Sequence, residues 1–360
     1  MKTHFLCLLW LGFALLSAAE RRPTVIRLNA SRLADNRTAE SSSILRAPML
    51  GFVSSGTSEL RPMIGVPKSA FLGEPVALPD GTRRSYISPG QQVTLLESAV
   101  GALTSLFLSD ARIGQSTEIA GGLSSPTFVS FSPSGSIVVL YSALERRVQI
   151  LKSNGTGLQV VQDIPDLALP PGEVRLIAID DEGAAPIVGI PNGSIYLVRA
   201  ETSPQLIFSG QSLQSVAYGP SSRTLFIAES RPDTVRLSSI RNTTEEPAAI
   251  VVNEFPAAGD SAIWLQASQD GRFLIGATSK SEGFRLRLDD ASLNRVDLPS
   301  PPTRLDRLLN GNSFLFSVSD TGPAWVLLGD EPELQAVFVA RASGQDSDVR
   351  LVSKVEGGVQ

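Results

Sequence analysis

The chain contains one cysteine and one histidine, Cys7 and His4. Both lie in an N-terminal stretch with the form of an export signal. Lys2 is followed by the apolar run Phe5–Leu16 and then by Ser17-Ala18-Ala19, small residues suited to signal peptidase, so cleavage is expected after Ala19. A chain processed there keeps neither residue. This excludes disulfides even in an oxidising compartment, a Cys nucleophile, a Ser-His-Asp triad, and any zinc site built on imidazole or thiolate. Cys7 sits within the apolar run and not beside the cleavage site, which argues against a lipoprotein anchor. Lysine is scarce as well, supplying five of the 31 basic residues, and with a formal net charge of −5 and no Lys/Arg-rich run there is no nucleic-acid footprint. Beyond the signal, no segment reaches the roughly 18 uninterrupted apolar residues of a membrane span. The expectation is an exported monomer, periplasmic or extracellular, with no membrane span once the signal is removed.

The composition otherwise is that of a globular, turn-rich chain, with 30 Gly, 24 Pro, 42% hydrophobic and 19% charged residues. Residues 20–45 are polar, rich in Arg, Ser, Asn and Ala, and are taken as an arm or linker with one short strand-like run, Val25–Leu28. The repeating unit shows best in Thr127–Gln162, where four short apolar runs are separated by turn signals. Ser132-Pro133-Ser134-Gly135 combines a fixed φ at Pro with tolerance of positive φ at Gly, and Asn154-Gly155 is a two-residue hairpin signal.

Comparable turns recur at Ser88-Pro89-Gly90, Asp180-Asp181-Glu182-Gly183, Gly219-Pro220-Ser221-Ser222, Ser268-Gln269-Asp270-Gly271 and Asn310-Gly311-Asn312, about 39 to 49 residues apart. Each follows a strand that ends in small or polar residues and precedes a strongly apolar one, such as SIVVLYSA, TLFIAES or SFLFSVS. That is the inner and second strand of a propeller blade, the second being covered on both faces by neighbouring blades. Six such units fill residues 84 to about 342. Between Met49 and Leu78, the runs MLGFVSS, ELRPMIGV and EPVAL match the outer three strands of a blade without its innermost one. The run DVRLVSKV, residues 348–355, is the candidate for that missing strand, a splice that would leave no free sheet edge.

The strand, S-P-x-G-like turn, apolar strand pattern over residues 46–355 resembles the seven-bladed propellers of the lactonase-like and YVTN-repeat type. The resemblance implies an all-β, seven-bladed propeller of four-stranded antiparallel blades, preceded by the signal 1–19 and the arm 20–45 and followed by a tail, 356–360. The Trp-Asp signature, the kelch double glycine and the YVTN tetrapeptide are all missing, so no catalytic residue carries over.

In a propeller, chemistry belongs at the mouth of the central channel, and the loops joining second to third strands supply the candidate ligand-binding residues Glu145, Arg146, Arg231, Asp233, Lys280, Glu282 and Asp320. Asp180-Asp181-Glu182-Gly183 and Asp289-Asp290 are acidic enough to raise calcium but lack the alternating ligand spacing of a calcium loop, so both are taken as turns and no cofactor is expected. Trp264 and Trp325 lie in apolar strand patterns and are assigned to packing between blades. Two functions remain. One is a non-catalytic propeller binding a protein, a glycan or a small polar ligand on its channel face. The other is a carboxylate- or metal-dependent hydrolase or lyase, lactonase-like or glycosidase-like, acting at the channel mouth.

Overall fold

The computed structural model describes residues 48–54, 59–109, 112–169, 173–220, 223–244, 247–257, 261–319, 322–329 and 332–342. The signal, the polar arm and the run 348–355 lie outside these residues. Among the described residues there are strands and turns and no helix. Five separate four-stranded antiparallel sheets follow one another along the chain. Blade 1 is Thr82–Ile87, Val93–Ser98, Leu103–Ser109 and Arg112–Glu118; blade 2 is Phe128–Phe131, Ile137–Ser142, Arg147–Ser153 and Leu158–Ile164. Blade 3 is Leu176–Ala178, Ile187–Gly189, Ser194–Leu197 and Gln205–Ser209; blade 4 is Ser212–Tyr218, Leu225–Ser230, Thr234–Arg241 and Ala248–Pro256. Blade 5 is Ile263–Ala267, Phe273–Thr278, Glu282–Arg287 and Leu293–Asp297. Blade 6, Asp306–Arg307, Ser313–Val318, Ala324–Leu328 and Gln335–Arg341, shares a seven-stranded sheet with an N-terminal set, Met49–Ser54, Leu60–Ile64 and Phe71–Leu72.

Strand composition follows position in the blade. The second strands Ile137–Ser142 and Leu225–Ser230 are buried at every residue, because they are covered on both faces by adjacent sheets. The fourth strands lie outermost, and Ala248–Pro256 is exposed over most of its length. Between sheets the apolar side chains form seven clusters, one at each interface around the ring. Ile137, Val148 and Ile179 join blades 2 and 3; Phe226, Phe255 and Phe284 join blades 4 and 5. The circle closes through the N-terminal set, since Leu50, Val53 and Met63 pack on Leu308, Leu315 and Val326, while Phe52 and Leu60 pack on Leu96 and Leu106. The fold is an all-β propeller whose seventh member is the N-terminal set.

Among the described residues that seventh member has three strands, as the sequence predicts for residues 49–78. Met49–Ser54 is buried like a second strand and runs the same way, away from the inner-to-second-strand turns. Leu309, in the last of those turns, donates from its N to the Leu50 carbonyl at 2.8 Å. No inner strand stands beside it among the described residues. The fourth strand differs from expectation. Phe71–Leu72 takes the place expected of Glu74–Leu78, and it pairs in parallel with Gln335–Arg341 of blade 6. Pro75 has no N–H to give to a ladder, so beyond Gly73 only an isolated bridge, Val76 to Leu60, remains.

Candidate ligand-binding site

The inner strands of all six blades surround a central cavity of about 230 Å³. Its wall is formed by Ser85, Tyr86 and Ile87 of blade 1, Val129 to Phe131 of blade 2, Ala178 of blade 3, Val216 to Tyr218 of blade 4, Gln266 and Ala267 of blade 5, and Asp306 and Arg307 of blade 6 with the preceding Arg304.

At one end of the cavity the turns between inner and second strands form a floor. Gly135, Gly271 and Gly311 occupy the left-handed position of these turns, with φ near 79, 69 and 79°. In blade 1 the same position is held by Gln91, at φ 51° and almost fully buried. Its side chain bonds to the inward edge of Met49–Ser54: Oε1 accepts from the Phe52 N, and Nε2 donates to the Arg307 carbonyl at 3.4 Å. Arg304 donates from Nη1 to the Ser54 carbonyl. With Leu309 on the Leu50 carbonyl, the inward edge of Met49–Ser54 is thus satisfied at alternate residues by three separate groups.

Two arginines and one carboxylate line the cavity. Arg304 is ion-paired with Asp306. Arg307 is only 7% exposed, and its Nη2 donates to the Pro133 carbonyl of blade 2. Burial holds its pKa below the usual arginine value, opposed by the charge of Asp181. Gln266 and Ser130 also face the cavity, and neither side chain makes a hydrogen bond to a described residue.

Six of the seven residues expected from the sequence are described, and they lie elsewhere. None of the six that the structure describes belongs to the wall of the central cavity, and Asp320 lies outside the described residues. The reason is geometric: loops between second and third strands are attached one and two strands out from the axis, and they stay on the rim. Glu145 is exposed and accepts from Arg147 Nη1 at 3.2 Å; Arg146 donates from Nη2 to the Leu167 carbonyl at 2.9 Å. Arg231 is half-buried in the tight turn closed by its N to the Thr234 carbonyl at 2.8 Å. Asp233, Lys280 and Glu282 do come together, with Arg295 and Asp297, in an open cleft of about 420 Å³ between blades 4 and 5, where Arg295 is paired with Glu282.

The acidic turns are occupied by local bonds. Asp180 Oδ1 accepts from the Gly183 N at 2.9 Å, and Glu182 takes Arg223 through both oxygens at 2.8 and 2.6 Å. Asp290 Oδ1 accepts from the Ser292 N at 2.9 Å. Among the described residues no three His, Cys, Asp or Glu side chains are grouped to hold a metal ion. Trp264 and Trp325 pack against the apolar cluster between blades 5 and 6, as their strand context predicts.

With this geometry in hand, the chain compares with known proteins through its backbone only. No family model matches the sequence, and no curated protein does. Among solved structures, the crystal structure of a functionally unknown protein from Desulfotomaculum acetoxidans DSM 771 superposes with a TM-score of 0.52 at 13% identity, covering 81% of this chain and 100% of that one. The likeness is one of fold. It assigns no activity and no site residue. Among the described residues, no helix is long and apolar enough to cross a membrane.

The wall residues Gln266, Arg304 and Arg307 carried a faint signal in the sequence, as polar residues inside or just before otherwise apolar inner strands. The run QAS and the run RLDRLL show it, but which face each residue presents depends on a register that only pairing defines.

Proposed function

We propose that the protein is an exported, non-catalytic propeller of the lactonase-like and YVTN-repeat architectural type that binds a small polar ligand in its central channel. The observation that carries this reading is a partly open central cavity, contributed to by all six inner strands and lined by polar residues whose side chains have no protein partner among the described residues, Gln266 and Ser130 foremost. Polar groups that line a cavity without a protein partner are available to a ligand or a bound water. Its volume of about 230 Å³ is seven to eight times the roughly 30 Å³ share of one liquid water, which suits a small molecule and not a protein or glycan chain. Export is supported by the N-terminal pattern of Lys2, the apolar run and Ser17-Ala18-Ala19. The hydrolase reading has less behind it, because a two-carboxylate mechanism needs a second acid, and Asp306, the one carboxylate on the described wall, is already paired with Arg304.

Thermal-shift screening of the processed protein against small neutral, anionic and cationic solutes tests this, with Ser130→Phe as the variant that fills the channel. A solute that raises the melting temperature of the wild type and not of Ser130→Phe supports the reading. Shifts that survive Ser130→Phe would move the site elsewhere, the Asp233, Lys280 and Glu282 cleft being the next place to look.

A further inference from the structure

We infer, resting on the channel reading above, that the ligand is a monoanion, a small organic carboxylate, and that Arg307 is the residue that takes its charge. Arg307 is over nine-tenths buried and lies on the cavity wall. A guanidinium carries five N–H donors, and among the described residues this one has a single acceptor, the Pro133 carbonyl, and no carboxylate at salt-bridge distance. Asp181, the acid whose field it feels, has its Oδ1 engaged by the Ser134 N at 2.8 Å. A buried charge left with one neutral acceptor is expensive, and breaking the pairing of such a group ordinarily costs several kcal/mol.

Arg285 shows what a structural buried arginine looks like in the same fold. It is 4% exposed, donates to the Gly329 carbonyl at 2.6 Å and the Pro332 carbonyl at 3.0 Å, and lies over the Phe273 ring at 5.2 Å. Arg307 has no comparable set of partners. Arg304 shares the cavity but is neutralised by Asp306 and ties down the Ser54 carbonyl. Two guanidinium groups against one carboxylate leave the lining itself with one excess positive charge, which Asp181 offsets only in part from outside the wall. A monoanion balances that charge; a dianion such as a phosphate monoester overshoots it, and a cation is repelled. A carboxylate matches the planar fork of a guanidinium, and Gln266 and Ser130 remain for hydroxyl or carbonyl groups on the ligand's body.

The test is calorimetry and thermal shift on the full processed protein with monocarboxylates of about two to six carbons, each beside its neutral amide, plus methyl phosphate and ethanolamine. The expected result is a rise of about 2 °C or more with at least one carboxylate near a hundred times its Kd, and none with its amide. Arg307→Lys keeps the charge and the fold while losing the fork, and should weaken that carboxylate by about ten-fold or more. Asp306→Asn removes the competing acid and should tighten it. Preference for the amide, for ethanolamine or for methyl phosphate, lost in Ser130→Phe, would overturn the carboxylate assignment and leave the channel reading standing. Equal affinity in Arg307→Lys would remove Arg307 from the role. No Ser130→Phe-sensitive binding by any solute would sink the channel reading itself, and this inference with it.

Discussion

Gln91 bridges the N-terminal set to blades 1 and 6 where no inner strand stands among the described residues, and the cost of removing it can be worked from its contacts. In Gln91→Ala the Phe52 N loses its acceptor inside a residue only 2% exposed. An unpaired buried donor costs about 1–3 kcal/mol. The bond from Nε2 to the Arg307 carbonyl is long, at 3.4 Å, and adds little. Alanine is as strained as glutamine in the left-handed position, so nothing is regained there and the loss should be about 2 kcal/mol. In Gln91→Gly the same bonds are lost, but a residue at φ 51° no longer carries a Cβ, which returns roughly 1 kcal/mol. The glycine variant, with more atoms removed, should therefore be the more stable of the two. Urea denaturation followed by far-UV circular dichroism reads the difference, and the alanine variant should melt roughly 4 °C below wild type at about 2 °C per kcal/mol for a domain of this size. An alanine variant within about 0.5 kcal/mol of wild type, or a glycine variant below alanine, would show that the Gln91 bridge does not close the ring.

Other outcomes follow from packing and charge. A Cβ on Gly276 would overlap the Phe284 ring at the centre of the cluster between blades 4 and 5, so Gly276→Ala should cost about 1–3 kcal/mol or more by equilibrium denaturation. Asp180 is buried, and burial holds its pKa above the usual carboxyl range against the bond from the Gly183 N. A raised carboxyl pKa contributes stability that is present in acid, below the unfolded value, and is lost as pH rises through the folded one. Asp180→Asn, which keeps an acceptor for Gly183, should therefore be more stable than wild type at pH 7, with the gain vanishing near pH 3. Asp163 titrates the other way, because Arg147 holds its carboxyl below the usual range and its contribution is lost as pH falls. The pair is about one-third exposed on both sides, so Asp163→Asn should cost under about 1 kcal/mol at pH 7, read in the same denaturation series.

The sequence by itself determined the class of fold and the count of repeats, because both are written in local chemistry. A turn residue that tolerates positive φ must sit where the chain reverses, as Gly135, Gly271 and Gly311 do, and a strand covered on both faces must be apolar over most of its length, as Ile137–Ser142 is. Six full units and one lacking its inner strand could be read from those rules alone. His4 and Cys7, the one histidine and the one cysteine, both stand within the first seven residues, so none lies in the propeller strands. Which residues meet at the axis was decided by tertiary structure. Asp233, Lys280 and Glu282 are as polar as any residues in the chain, yet their loops hang from strands away from the axis and gather in a cleft between two blades. Arg307 and Gln91 are brought together across 216 positions of sequence, and Arg307 meets Pro133 across 174. No local pattern encodes a contact of that span: it exists only once seven apolar interfaces have bent the chain into a ring, and the cavity they leave is lined by whichever side chains the register turns inward.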